Sequence, residues 1–334
     1  MFALTNKNKM DPDAKILNQH KNHFVRINDE LERVLSSRVA LIEDIGNHAL
    51  LGHGKRLRPL LFVLSSHLCN CRSDNVYLLS TIFEYIHTAS LLHDDVLDNA
   101  HIRRKKPSVN QVWGNHAAVL EGDFLYSKSF SIAVASGNLA FFEKLTETTT
   151  QMAEGQVLEL IHTDNWDTTR EAYHDIITAK TAVLISAACA CGAIISDAEE
   201  EEAHSLAQFG LNMGIAFQLM DDSLDYTSSQ EVFGKPVGKD LREGKITLPL
   251  IYTLSGLDEA ERARIERRFK KGKATEDDYQ SVITLVRTKG ALERIRTEAQ
   301  AYVDEAAKWL GCFPDSIGKT KLLELNQYIV ERQS

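Results

Sequence analysis

Two clusters of aspartate carry the chemistry most plainly. Asp94-Asp95-Val96-Leu97-Asp98 and Asp221-Asp222-Ser223-Leu224-Asp225 each close an apolar run of helical periodicity. On a helix, residues four apart share a face, so Asp94 aligns with Asp98 and Asp221 with Asp225. Like charges at that spacing repel, and each cluster is locally destabilising until a cation offsets it. Hard carboxylate oxygens without cysteine or paired histidine suit Mg2+ or Mn2+ better than zinc. One such cluster is most often a solvated acidic helix end; two, each on an apolar helix, point to a metal site. Because Mg2+ is usually held by one or two carboxylates together with substrate phosphates, the pair implies a phosphorylated ligand.

The basic residues agree. Gly54-Lys55-Arg56-Leu57-Arg58-Pro59 precedes the apolar run Leu60 to Leu64. Pro59 suits the first turn of a helix, whose free N–H groups would join Lys55 and Arg58 in holding an anion. Arg103 and Arg104 follow Asp98 on a loop. Either patch alone reads as solvated surface; beside the aspartates they supply what a diphosphate requires. His87 lies seven residues before Asp94, two turns along the same face, and so points into the same cavity. His93 and His101 have no such register and read as structural or exposed.

The elements that position these residues read as helices. A chain of 334 residues at the usual ~5% proline would carry about 17, yet this one has 6, with none between Pro107 and Pro236. Proline breaks helix interiors and punctuates sheet proteins, so the gap favours an all-α fold. Amphipathic periodicity opens at Leu31, Val34 and Leu35 and continues through Leu41, Ile42 and Ile45. Mostly apolar helices are expected over Tyr77–Leu97, Ala117–Ala135 with Asn115 as N-cap, Phe141–Ile161, His174–Ile195 and Asp197–Asp225. Loops are expected at Asn99–Asn110 and Thr227–Gly244, and peripheral charged helices beyond residue 255. No linker is evident, so one domain over residues 1–334 is expected, its motif-bearing core at about 50–250.

Composition excludes several classes. The 38 basic and 47 acidic residues give a net charge of −9, which argues against general nucleic-acid binding. The cysteines (Cys69, Cys71, Cys189, Cys191, Cys312) have no zinc-finger spacing and read as buried hydrophobes in a reducing compartment. The first fifteen residues contain no apolar run fit for a signal peptide, and the apolar segment Ala182–Ile195 is too short to span a bilayer. A cytoplasmic protein without a transmembrane segment is expected.

Together these motifs resemble the trans-isoprenyl diphosphate synthases, or polyprenyl synthetases. The resemblance rests on both aspartate motifs, the GKxxRP motif at Gly54–Pro59 and the pair Arg103-Arg104. It extends to the GDxL segment Gly122–Leu125, the Lys180-Thr181 pair, Gln218, and the lysines Lys235 and Lys245. It is close over about 50–250 and looser elsewhere; Lys105 stands where the family often has glycine. The resemblance implies a large antiparallel helical bundle around a central cavity, of the isoprenoid synthase type. It implies metal ligation by Asp94, Asp98, Asp221 and Asp225, with three Mg2+ per site and Mn2+ as an alternative. Isopentenyl diphosphate would be held by Lys55, Arg58, His87 and Arg104, and an allylic diphosphate (dimethylallyl, geranyl or farnesyl) by the metals and Arg103. Lys180, Thr181 and Gln218 would line the cation's path, while Lys235 and Lys245 would close over the diphosphate. The implied reaction is ionisation, condensation and elimination, in a homodimer. In the family, small residues before the first motif resemble long-chain enzymes; here Ala89 and Ser90 stand there, so an all-trans product of hexaprenyl to decaprenyl length, octaprenyl above all, is expected. Three rivals are weaker. A short-chain farnesyl or geranylgeranyl diphosphate synthase would resemble the members with bulky aromatics at those positions. A class I terpene cyclase would not need the second, basic pocket, and a regulatory subunit would be expected to lose one aspartate motif.

Overall fold

The computed structural model describes residues 18–50, 54–227, 237–270 and 272–332. In chain order the helices are α1 (Lys21–Val34), α2 (Ala40–Leu50), α3 (Leu57–Leu68), α4 (Asn75–Leu97), α5 (Val109–Trp113), α6 (Asn115–Ala135), α7 (Leu139–His162), α8 (Arg170–Ile177), α9 (Val183–Ile194) and α10 (Glu200–Thr227). They continue with α11 (Lys239–Arg242), α12 (Leu248–Ser255), α13 (Glu259–Phe269), α14 (Glu276–Thr288), α15 (Ala291–Trp309) and α16 (Ile317–Glu331). The strands among the described residues are β1 (Ile102–Arg103) and β2 (Lys106–Pro107), an antiparallel hairpin pairing Ile102 with Pro107. The all-α expectation holds.

Long helices near the centre bury side chains on several faces, as apolar helices must. α4 packs along α6, and α9 lies between α3 and α10, with α15 on the far side of α10. Small residues let α9 and α10 approach closely. A Cβ on Gly210 would come 2.8 Å from Ile185 O, and one on Gly214 would come 2.7 Å from Ala182 Cα. That contact fixes the height of Gln218 and Asp221 on α10 against Thr181. Between α8 and α9 the helix widens into a π turn, Thr178–Ala182, which contains Lys180 and Thr181. Such turns are commonly found where a helix must re-aim functional side chains. A second, smaller core gathers Trp166, Tyr226, Leu250, Val282 and Ile283 behind α10.

Several expectations need correction. The periodicity from Leu31 to Ile45 is two helices: Ser37 N donates to Glu43 Oε1 at 2.8 Å, and Val39 N to Ser37 Oγ at 3.2 Å, turning the chain. Asn115 is the first residue of α6; its N-cap is Gly114 at φ 85°, which stops α5. α8 starts earlier than His174 because the Thr169 side chain accepts from Ala172 N at 3.2 Å. The Asn99–Asn110 loop holds the β hairpin, with Arg104 and Lys105 at φ 51° and 64°. Two positive φ values are what a type I′ turn demands, so the glycine common at Lys105 in the family would relax it. Finally, the apolar Ala182–Ile195 segment continues α8, giving a 25-residue helix, Arg170–Ile194, long enough to cross a membrane; 61% of its apolar window is buried in the bundle. It is the central core helix.

One buried acid has no counterpart. Glu121 on α6 is 2% exposed, and neither carboxylate oxygen finds a hydrogen-bond partner among the described residues. Burial pushes its pKa from 4.5 up to about 7. Because the folded value is the higher one, the stability it permits is present below about pH 4.5 and lost as pH rises towards 7. Glu121→Gln is therefore expected to stabilise the protein by about 3 kcal/mol at pH 8, a gain that shrinks on acidification. Denaturant titrations at pH 8 and pH 5 check this; an equal gain at both would show that ionisation is not the cause.

Candidate active site

The two aspartate motifs sit at the C-terminal ends of α4 and α10, where helix dipoles disfavour further negative charge. Each carboxylate that could face a cation is met by a base. Lys180 Nζ lies 3.4 Å from Asp94 Oδ2 and 2.5 Å from Glu159 Oε2. Lys245 Nζ lies 2.8 Å from Asp98 Oδ2 and 3.0 Å from Glu243 Oε2. Arg332 Nη2 lies 2.6 Å from Asp221 Oδ1. Burial raises the Asp94 carboxyl against the pull of Lys180. Burial works the same way on Asp98, but Lys245 overcomes it and holds the group below its ordinary value. Desolvation works to lower Lys245, and the acids Glu159, Glu243 and Asp98 outweigh it and hold its ammonium well above the usual range.

The middle aspartates do other work. Asp95 pairs with Arg103, whose Nε donates to Asp95 Oδ1 at 2.9 Å. Asp222 is buried; it accepts from Tyr173 Oη and Gln218 Nε2, both at 2.6 Å, and burial pushes its pKa up. Gln218 Oε1 in turn accepts from Thr181 Oγ1 at 3.0 Å. The chain Thr181–Gln218–Asp222–Tyr173 thus joins the π turn to the second motif, while Lys180 joins the same turn to the first. Asp225 accepts the backbone N–H groups of Lys239 and Asp240, each at 3.1 Å, and so caps α11. A cavity of about 170 Å³ opens here, lined by Glu159, Lys180, Thr181, Gln218, Asp222 and Lys245.

The basic half lies across α3 and α4. Arg56, at φ 49°, turns the chain into α3, and its guanidinium forms a buried ion pair with Glu84. A Cβ on Gly54 would sit 2.9 Å from Arg104 Nη1, 3.0 Å from Arg56 Nη1 and 3.3 Å from Glu84 Oε1. Three charged side-chain ends therefore meet over Gly54, and a side chain there would push them apart. Burial pushes Arg58 down to about 10, and its Nε has no partner among the described residues. His87 is held well below 6.5 by burial and by Arg58, Arg104, Arg103 and Arg56. One carboxylate, Glu84, thus stands against several guanidiniums. The surplus positive charge and the orphaned Arg58 donor fit an anion. Lys55 is exposed at the rim and donates to Tyr328 Oη at 3.2 Å.

Of the residues expected from sequence, Asp94 and Asp98 are joined by ion pairs to Lys180 and Lys245, and Thr181 and Gln218 line the same cavity as those lysines. Asp221 is held separately by Arg332, and Arg58, His87 and Arg104 form the adjoining basic group. Arg103 bridges the two halves through Asp95. Lys235 lies outside the described residues. His93 is half-buried against Val119 O at 3.2 Å, and His101 is exposed. Sequence reasoning missed Glu84, Glu159, Tyr173 and Arg332. Glu84 and Glu159 had a signal, since each is a lone acid inside an apolar run (Thr81–Ile86 and Val157–Ile161).

A helical bundle with acidic motifs at two helix ends, beside a part-buried basic pocket, suits a phosphorylated ligand. The Polyprenyl synthetase family profile matches residues 39–286. The octaprenyl diphosphate synthase of Escherichia coli K12 is 36% identical over 306 residues, 92% of this chain and 94% of its own length. Among solved structures, a polyprenyl synthase from Caulobacter crescentus CB15, complexed with calcium and isoprenyl diphosphate, superposes with a TM-score of 0.91 at 34% identity, covering 98% of this chain and 100% of that one. A decaprenyl diphosphate synthase from Rhodobacter capsulatus does so at 0.89 and 36% identity, covering 97% and 100%. The chain belongs to the polyprenyl synthetase family. It is a prenyltransferase, a trans-polyprenyl diphosphate synthase with the all-α isoprenoid synthase fold. Membership implies a divalent metal and, as substrates, isopentenyl diphosphate and an allylic diphosphate.

Proposed function

We propose that the protein makes octaprenyl diphosphate, by Mg2+-dependent condensation of isopentenyl diphosphate onto an allylic diphosphate, as a cytoplasmic homodimer whose chain works as one domain. The observation that carries the site assignment is the pairing of Asp94, Asp98 and Asp221 with three separate cations. An all-oxygen set, its charge balanced here by Lys180, Lys245 and Arg332, suits hard divalent ions such as Mg2+ better than zinc once those bases are displaced. When bound, Mg2+ neutralises charge developing on the departing diphosphate. Lys180 and Lys245 stand beside the same carboxylates and bind the diphosphate oxygens, while Thr181 and Gln218 turn oxygen dipoles toward the allylic carbon as positive charge develops there. Arg58, His87 and Arg104 hold isopentenyl diphosphate opposite, with Lys55 at the rim, so that its double bond faces that carbon. The released diphosphate takes the final proton. Asp225, whose oxygens accept the N–H groups of Lys239 and Asp240, would complete the ligand set.

Support for the remaining parts is physical. Leu120, Val134, Leu139, Val157, Leu160 and Ile161 are exposed on α6 and α7, an apolar face that a second copy would cover. All five cysteines are free, in keeping with a reducing compartment. Ile251 packs against both hydrophobic cores, tying them into one unit.

Lys55 and Arg58 test the two-pocket reading. Replacing either by Ala should raise KM for isopentenyl diphosphate more than for the allylic substrate, at a cost of about 2–5 kcal/mol for the part-buried Arg58 and less for exposed Lys55. Steady-state kinetics with each substrate varied in turn decides it. Equal weakening toward both substrates would mean that the loop only shapes the pocket. The competing cyclase reading requires that labelled isopentenyl diphosphate is not incorporated.

A further inference from the structure

The end of α16 touches both halves of the site. Arg332, just past the helix, reaches Asp221 with Nη2, and the same nitrogen donates to Phe217 O at 2.8 Å. Its guanidinium carbon lies 3.9 Å from the centroid of the Phe217 ring. The Arg332 side chain is 2% exposed, but that of Asp221 is 41% exposed. One turn earlier, Tyr328 accepts from Lys55 at the rim of the basic pocket. The arginine is therefore sealed against the protein, and the carboxylate it holds keeps an open side toward solvent.

We propose that Arg332 is a latch on the second aspartate motif: it competes with the divalent cation for Asp221, and loading of that carboxylate releases the C-terminal end of α16. The inference rests on Asp221 being a metal ligand. A guanidinium and a divalent ion at contact distance on one carboxylate repel each other, and the screening that would soften this is weak around a sealed side chain. Once Asp221 is engaged by a cation, Arg332 is a buried charge without a carboxylate, an arrangement strongly disfavoured unless the group moves to water. Its movement carries the last turn of α16 with it and loosens the Tyr328–Lys55 hydrogen bond. Loading of the metal half is thereby coupled to the isopentenyl diphosphate half, and by linkage the coupling runs in both directions.

Mn2+ binding, followed by electron paramagnetic resonance of the free ion, tests the competition without turnover. Arg332→Gln is expected to bind Mn2+ about tenfold more tightly than the wild type, the factor that one charge-assisted hydrogen bond sets. In an Asp221→Asn background the same substitution should give no gain, since the shared partner is gone. Equal or weaker binding by Arg332→Gln overturns the latch, as does a gain that persists in the Asp221→Asn background. If neither the wild type nor Arg332→Gln binds Mn2+, the metal assignment itself fails and the latch with it. Hydrogen exchange gives a second readout: Mn2+ should speed exchange over residues 325–332 of the wild type. Slower or unchanged exchange there refutes the release step.

Discussion

Asp94→Ala is expected to lower turnover about 1000-fold while leaving the fold intact. Charge neutralisation by a bound cation is worth several kcal/mol in the transition state, and each 1.4 kcal/mol is a factor of ten. The substitution removes one of the carboxylates that repel each other along α4, and Lys180 keeps Glu159 at 2.5 Å, so no buried base is left unpaired. Circular dichroism and the unfolding midpoint should therefore match the wild type. Asp221→Ala should be equally inactive, but the structure separates the two variants on stability. Sequence reasoning expects no cost at either position. Arg332, however, is 2% exposed and has Asp221 as its carboxylate, so that variant should lose about 1–2 kcal/mol after screening on the open side of the pair. Turnover that survives in either variant at limiting Mg2+ would sink the metal assignment.

What the sequence made legible follows from how locally each feature is encoded. The aspartate motifs and His87 lie on single helices, where a spacing of four or seven residues fixes the shared face. The central helices were visible because apolar periodicity runs for many turns without proline. The helix breaks were harder. Ser37 and Thr169 end or start helices through one side-chain hydrogen bond each, a signal that one residue carries. Least legible were the partners that close the site. Arg332 meets Asp221 across more than a hundred residues of chain, and nothing local to α16 announces that its end turns inward. Tyr173 likewise acquires its role only across the bundle, from Asp222, and Glu159, though marked as a lone acid, finds its partner only through the π turn that sets the height of Lys180. In the Gly54–Pro59 segment the expected helix N-terminus is present. The residue that organises it, though, is Arg56 through its ion pair with Glu84, and while Glu84 is marked as a lone acid in an apolar run, nothing in the segment singles out Arg56 as its partner.

Product length gives the other large effect, and the structure changes which residue should set it. Ala89 and Ser90 are the small residues before the first motif, and they point in different directions. Ala89 is fully buried in the core; Ser90 is half-buried and four residues from Asp94, on the Asp94 face of α4. A blocking side chain is therefore expected to act most directly at Ser90; at Ala89, as buried as Ile86 and Phe83, a larger group would also overpack the core at about 1–3 kcal/mol. Below Ser90 the same face carries Ile86, then Phe83, about 16 Å from Asp94 along the helix. Phe83 meets Phe62 at 5.2 Å and Phe141 at 6.5 Å between ring centroids, a fully buried aromatic partition. Beyond it, at the far end of α4, lies an open cavity of about 700 Å³ with mixed walls, Val76, Leu79 and Ile132 beside Arg33, Lys128 and Asp197. An octaprenyl tail is longer than the distance to Phe83, so the octaprenyl reading requires the tail to pass the partition toward that cavity. Ser90→Phe should stop elongation above the partition and shift products to farnesyl or geranylgeranyl diphosphate. Phe83→Ala should instead lengthen products while costing about 3–5 kcal/mol of stability. Chromatography of dephosphorylated products reads both. A wild-type enzyme that already stops at geranylgeranyl would make Phe83 the floor and overturn the octaprenyl assignment, because the cavity beyond it would then go unused.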